Sequence, residues 1–171
     1  MRDAKPHLIT LAIYFSTRGS SFGLFEGTLS PYDWGTIEVR GPRKEAKCRR
    51  KIMELFDRYK VDVLVLQNTG PQGTRRASRL MTLNAAVEAA ARQHAIPVSK
   101  YSRADVYSTF APAGFSNKQA LAELIAKHIP AFERHVPPPR KPWKSEDARM
   151  GLFDAAALAL VFFQKAGEEQ S

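Results

Sequence analysis

Glycine and arginine cluster in the stretch GPQGTRRASR, which follows a run of apolar residues. Gly70 and Gly73 stand three residues apart, and Arg75, Arg76 and Arg79 come soon after them. Backbone amides at the N-terminus of a helix can bind phosphate, and arginine can add bidentate hydrogen bonds to the same oxygens. The stretch lacks the Lys-Ser/Thr pair that ends a nucleotide-binding P-loop. It therefore predicts a phosphate contact that is not a P-loop.

Positive charge is concentrated around this stretch. Residues 40 to 79 include twelve Lys or Arg and four Asp or Glu, and the whole chain has a formal charge of +9. Such clusters are typical of proteins that bind polyanions, because each neutralised phosphate releases condensed counterions. The alternative interpretation is a solvated basic face that keeps the protein soluble. We favour nucleic acid as the partner.

The composition is that of a globular protein. The 171 residues are 44% hydrophobic and 25% charged, which predicts one domain over residues 1–171. The longest apolar run, 155–163, is about half as long as a membrane-spanning helix, and the N-terminus lacks the cleavage site of a signal peptide. We therefore expect a cytoplasmic protein without a membrane partner. Cys48 is the only cysteine, so no intramolecular disulfide can form.

The hydrophobic pattern predicts the element order β-β-β-α-β-α-β-α-α-α. The run 8–15, LITLAIYF, indicates a strand buried on both faces, and two short alternating segments after it complete an antiparallel meander. Apolar residues at helical spacing over 43–60 and 74–95 predict two helices. Between these helices lies a buried strand that ends at Gln67 and Asn68.

The last third of the chain is predicted to be helical, with one interruption. Ser102 and Ser116 are predicted to cap two helices. The segment 135–144 contains four prolines, which predicts a stiff, extended and basic connector before the last helix, 148–165. Asp154 is the one acid on the apolar face of that helix. It is either a metal ligand or a buried acid satisfied by a backbone amide or an arginine.

Three segments resemble the RuvC family of Holliday junction resolvases. Residues 11–23, LAIYFSTRGSSFG, are similar to the family's first strand and turn, and VLVLQNTG is similar to its fourth strand. Residues 151–160, GLFDAAALAL, are similar to its last helix, and Lys118 matches a lysine at the start of the preceding helix. The resemblance implies an RNase H-like α/β fold. In that fold a five-stranded mixed sheet, with three antiparallel and then two parallel strands, is flanked by helices.

Members of this family cleave branched DNA with two divalent metal ions held by four carboxylates. The resemblance places these four positions at Tyr14, Gln67, Gly151 and Asp154, so one carboxylate remains. An amide oxygen supplies no negative charge, and a tyrosine fills the volume that a metal ion needs. We therefore expect that two-metal catalysis is lost and that no cofactor is bound, with Mg²⁺ required only if the protein is active.

Two alternatives remain open. Asp147 and Glu146 lie about two helical turns before Asp154, and with Asp105 they could rebuild the acidic site of an active metal-dependent Holliday junction endonuclease. Asp154 would then be a metal ligand. Alternatively, the chain is a non-catalytic protein-interaction subunit whose basic surface binds an acidic protein.

Our preferred hypothesis is a RuvC-like protein that binds branched or structured DNA and has lost most of its catalytic carboxylates. The resemblance also implies a homodimer. Trp143 and Tyr101 are candidates for stacking on an exposed base, with packing inside the protein as the alternative. The residues predicted to contact nucleic acid are Arg18, Arg49, Arg50, Arg75, Arg76, Arg79, Lys118, Arg140, Lys141 and Lys144.

Overall fold

The residues that the structure describes form five strands and five α-helices in the predicted order. A computed structural model describes residues 8–16, 19–38, 41–68, 75–114, 117–141, 143–144 and 147–169, with the side chains of all of these except 75–78, 168 and 169. The strands are β1 (Ile9–Ser16), β2 (Gly19–Glu26), β3 (Pro31–Ile37), β4 (Val63–Gln67) and β5 (Val98–Tyr101). The helices are α1 (Lys44–Tyr59), α2 (Arg75–Gln93), α3 (Arg103–Phe110), α4 (Lys118–His128) and α5 (Met150–Glu169), and short 3-10 turns cover Ala111–Ala113 and Pro130–His135.

The strands form one sheet in the order β3-β2-β1-β4-β5. The β1 strand pairs antiparallel with β2 and parallel with β4, and β4 pairs parallel with β5. This confirms the predicted mixed sheet of three antiparallel and two parallel strands. It also confirms β1 as a central strand, since a strand with neighbours on both sides and helices on both faces is apolar throughout.

Alternate side chains of β1 enter two separate hydrophobic cores. Leu11 and Ile13 pack with α1 and α2 on one face of the sheet. Ala12 packs with α4 and α5 on the other face, and Tyr14 lies against the same core. Successive side chains of a strand point to opposite faces, so the alternation sorts the helices into two layers. Residues of α1 and of α5 are therefore separated by the sheet.

The α5 helix is the main core element on its face of the sheet, where it packs on β1 and β2. Its residues 155–161 are all buried. By length and composition alone, Met150–Gly167 also qualifies as a membrane span, the one such window among the described residues, and 56% of it is buried inside the protein. That test is weak evidence, because a core helix of a soluble protein also passes it.

The two short helices α3 and α4 begin at side-chain caps. Ser102 caps α3 as predicted, in a capping box where Asp105 accepts a hydrogen bond from the Ser102 amide at 2.8 Å. The cap of α4 is Asn117 and not Ser116, because the Asn117 Oδ1 accepts from the Ala120 amide at 2.8 Å. Asn and Ser are equally good caps, so the sequence alone did not place this boundary to the residue.

The capping box of α3 is expected to stabilise the protein. The Ser102→Ala substitution removes the hydroxyl that accepts from the Asp105 amide, so we expect the free energy of unfolding to fall by about 1 kcal/mol in chemical denaturation. Ser108→Ala, at an exposed serine inside α3, is the matched control. An equal loss in both variants would contradict the capping role.

The same box predicts a pH dependence. Hydrogen bonds from Ser102 lower the pKa of the Asp105 carboxyl. Because the folded-state pKa is the lower one, the stabilisation is fully present above the unfolded-state pKa of about 4 and is lost as the pH falls through the folded pKa. The stability difference between wild type and Asp105→Ala should therefore shrink in that acid range. A difference that stays constant to the lowest pH measured would rule out the ionised carboxylate as its source.

Candidate functional site

A cavity lies where β1 and β4 end, at the edge of the sheet that α3, α4 and α5 cover. Its volume is about 50 Å³, enough for a few water molecules. Polar and charged side chains from five elements meet there. The lining residues are Tyr14, Gln67, Ser102, Arg103, Val106, Tyr107, Lys118, Leu121, Asp154, Ala157 and Leu158.

The strands contribute Tyr14 and Gln67 to this cavity. Ile13 of β1 pairs with Leu66 of β4, so the next residue of each strand points to the α5 face and the two side chains are neighbours. The end of β4 is held in place from outside the cavity. The Asn84 side chain on α2 donates to the Gln67 carbonyl at 3.0 Å, and the Asn68 amide donates to the Tyr101 carbonyl at 2.7 Å.

The helices contribute an ion pair. The Lys118 Nζ lies 3.5 Å from the Asp154 Oδ2, and the two side chains are 33% and 15% exposed. The same ammonium lies 5.9 Å from the centre of the Tyr14 ring, within cation–π range. A cation in the first turn of a helix opposes the helix dipole, so its position at the start of α4 does not stabilise that helix. It instead neutralises the carboxylate of α5.

Gly151 is in close contact with β2. A Cβ added at Gly151 would lie 2.3 Å from the Ser21 Oγ and 3.1 Å from the Ser21 Cβ. Ser21 is buried and pairs directly with Tyr14 in the β1–β2 hairpin. A larger residue at position 151 therefore requires Ser21 to move. Ser21 was not among the residues predicted from the sequence, because its place opposite Tyr14 follows from the pairing register of β1 and β2.

The other acids proposed for the site have different partners. Asp147 precedes the first turn of α5 and does not share a helical face with Asp154; it accepts hydrogen bonds from the Arg149 side chain at 2.7 and 3.0 Å. These contacts lower its pKa to about 2. Asp105 is engaged in the capping box of α3. Glu146 lies outside the described residues. Among the residues that the structure describes, no three His, Cys, Asp or Glu side chains are grouped so as to hold a metal ion.

An open groove of about 560 Å³ adjoins the cavity. The first turn of α4 forms one wall and the proline-rich segment forms the other, where the Gln119 side chain donates to the Pro137 carbonyl at 2.7 Å. Lys118 lines both the cavity and the groove, so the two lie on either side of its side chain. The groove residues are Asn117, Lys118, Gln119, Pro137, Pro138, Pro139, Arg140, Asp147 and Met150.

The structure divides the predicted basic residues between two surfaces. Lys118 and Arg140 line the groove, and Lys141 and Lys144 are exposed beside it. By contrast, the basic residues of α1 and α2 belong to the helical layer on the opposite face of the sheet. The exposed members of that second set are Arg49, Arg50 and Arg79. The loop with Gly70 and Gly73, Arg18, and the side chains of Arg75 and Arg76 lie outside the described residues.

Two solved structures of RuvC from Thermus thermophilus match this chain over its whole architecture. "T. thermophilus RuvC in complex with Holliday junction substrate" matches with a TM-score of 0.67 and 18% identity, over 94% of this chain and 97% of that one. "Thermus thermophilus RuvC structure" matches with a TM-score of 0.65 and 17% identity, over the same shares. The chain has a RuvC-like fold of the RNase H-like class. No protein-family description and no curated protein sequence matches it.

The donor atoms in this cavity do not fit the two divalent ions that the resemblance implies. Two hard cations need several anionic oxygen ligands between them. Tyr14 and Gln67 supply none, and Asp154 has an ammonium 3.5 Å away. A dication at Asp154 would have to displace Lys118 or accept its repulsion. At the fourth position, Gly151 supplies no side chain, and a carboxylate there would require Ser21 to move.

Because Gly151 is in close contact with Ser21, we expect even a substitution by alanine to destabilise the protein. Gly151→Ala places a methyl group against Ser21, so we expect the free energy of unfolding to fall by about 1–3 kcal/mol in chemical denaturation. Gly167→Ala, in the same helix, is the matched control, because its added Cβ meets nothing within 4 Å. The control should leave stability unchanged or raise it slightly. A double variant that adds Ser21→Ala should recover part of the loss, and no recovery would contradict the contact.

Proposed function

We propose that this protein binds branched nucleic acid through the groove, without a metal ion, and that strand cleavage of the RuvC type has been lost. The observation that carries the proposal is the donor set of the cavity, where Tyr14 and Gln67 supply no negative charge and Asp154, the one carboxylate among the lining residues, is paired with Lys118. An ammonium group occupies the surroundings of the remaining carboxylate, where a metal ion would otherwise supply positive charge. Lys118 also faces the groove, so the same group can attract a phosphate.

The fold and the charge distribution support nucleic acid as the ligand. One of the two similar structures is RuvC in complex with a Holliday junction substrate. The groove is open and lined by the cationic side chains of Lys118 and Arg140, and the chain carries a net charge of +9. Phosphate contacts from Lys and Arg supply most of the affinity in such interfaces. A homodimer would present two grooves to one junction.

We expect the two basic surfaces, the groove and α1, to contribute unequally to the binding of nucleic acid. Lys118 and Arg140 lie together at the groove, whereas Arg49 and Arg50 lie on α1 behind the sheet. A local segment of nucleic acid cannot touch both sets at once. We propose the groove as the primary contact and α1 as a secondary surface for a distant arm of the substrate.

A comparison of substrates tests the proposed function. A labelled four-way junction and a linear duplex of equal length are titrated with the protein at physiological salt, once with Mg²⁺ and once with a chelator. We expect tighter binding to the junction in both conditions and no cleavage of either substrate. Equal and weak binding to both substrates would contradict the proposal. Mg²⁺-dependent cleavage that Asp154→Asn abolishes would instead establish the rearranged endonuclease.

Paired charge variants test which surface binds. Arg140→Ala with Lys144→Ala removes two charges beside the groove, and Arg49→Ala with Arg50→Ala removes two from α1. For the groove variant we expect about ten-fold weaker junction binding and a salt dependence reduced by about two units, since each phosphate contact contributes about one. The α1 variant has the same net charge as the groove variant and should lose less affinity for the junction. Equal losses would show that net charge, and not the groove, determines affinity.

A further inference from the structure

Trp143 is an exposed aromatic side chain at the basic end of the proline-rich segment. It is 77% exposed, the highest value among the large hydrophobic residues that the structure describes. Tyr101, the other stacking candidate, packs against the core beneath α5. The structure therefore separates two residues that the sequence left equivalent, because only Trp143 offers most of its ring to a ligand.

The segment that carries Trp143 is fixed at several points. Upstream of it, the Trp34 indole donates to the His135 Nε2 at 3.2 Å, and the Gln119 side chain donates to the Pro137 carbonyl. Consecutive prolines have few backbone conformations to lose when they bind a ligand. The part of the segment that precedes Trp143 is thus anchored to the body of the protein at His135 and Pro137.

The surroundings of Trp143 fit a nucleic acid. The Lys141 Nζ lies 5.5 Å from the centre of the indole ring, and Lys144 and Arg140 are exposed nearby. An open ring stacks on any base, while flanking cations bind the phosphates on either side of it. The same group of residues stands next to the groove that Lys118 and Arg140 line.

We propose that Trp143 stacks on an unpaired base and makes the groove selective for single-stranded or locally opened nucleic acid. This inference rests on the proposed function and specifies its substrate. Bases inside a duplex are stacked on both faces and offer no free face to an indole. An unpaired base at a branch point or in a single strand does. Trp143 would therefore distinguish opened from closed substrates, while the cations bind both.

Tryptophan fluorescence tests this directly, because the chain contains only Trp34 and Trp143. The full-length wild type and Trp143→Phe are titrated with a thymidine oligonucleotide and with a duplex closed by hairpins at both ends. Stacking should quench the wild-type emission with the single strand and much less with the closed duplex. In Trp143→Phe, where only the half-buried Trp34 emits, the quenching should disappear while binding persists.

Affinity measurements complete the test. Trp143→Ala should weaken binding of the thymidine oligonucleotide by about ten-fold and binding of the closed duplex by less than about two-fold, whereas Trp143→Phe should keep most of the affinity. Tyr32→Ala, at an exposed aromatic on β3, is the control and should change neither. Equal losses for both ligands, or binding without quenching, would overturn the stacking proposal and leave the proposed function intact. Absence of binding to every nucleic acid would overturn both.

Discussion

The Lys118–Asp154 ion pair is the interaction on which the rest of the site depends. At 3.5 Å the two charges attract each other by about 5 kcal/mol at an effective dielectric constant of 20, before the cost of removing them from water. The pair ties the start of α4 to the first turns of α5. With Arg103 and Lys118 against the single carboxylate of Asp154, the lining of the cavity has no excess of negative charge, whereas the family that the sequence resembles concentrates negative charge there for metal binding.

The neighbouring side chains add no negative charge to the cavity. Tyr14 places an aromatic ring beside the ammonium, and Gln67 ends β4 with an amide in place of a charge. Ser21 takes the space that a side chain at Gly151 would need. These residues come from three strands and one helix. A carboxylate introduced at one of these positions would therefore contact a cation, an aromatic ring or a closely packed side chain from another element.

The fold could be predicted from the sequence because β1, β4 and α5 carry strong local patterns. The apolar runs of the two strands identify the sheet centre, and the small residues around Asp154 identify a core helix. The packing between elements that are far apart in the sequence has no such local pattern to predict it. Basic residues are frequent along residues 40–79 of the sequence. In the structure, those that belong to α1 and α2 lie on the opposite face of the sheet from Lys118. The contact between Ser21 and Gly151 likewise depends on how α5 crosses β2, which no local pattern encodes.

Binding of divalent ions in the cavity can be measured with Mn²⁺, whose paramagnetism reports free and bound ions separately. Wild type and Lys118→Met are titrated with Mn²⁺ and followed by electron paramagnetic resonance, with a thermal melt of each variant to confirm folding. The ion pair predicts no saturable Mn²⁺ binding to the wild type. Saturable binding of two ions per wild-type chain, abolished by Asp154→Asn, would show that the cavity is a metal centre and contradict the role assigned to Lys118.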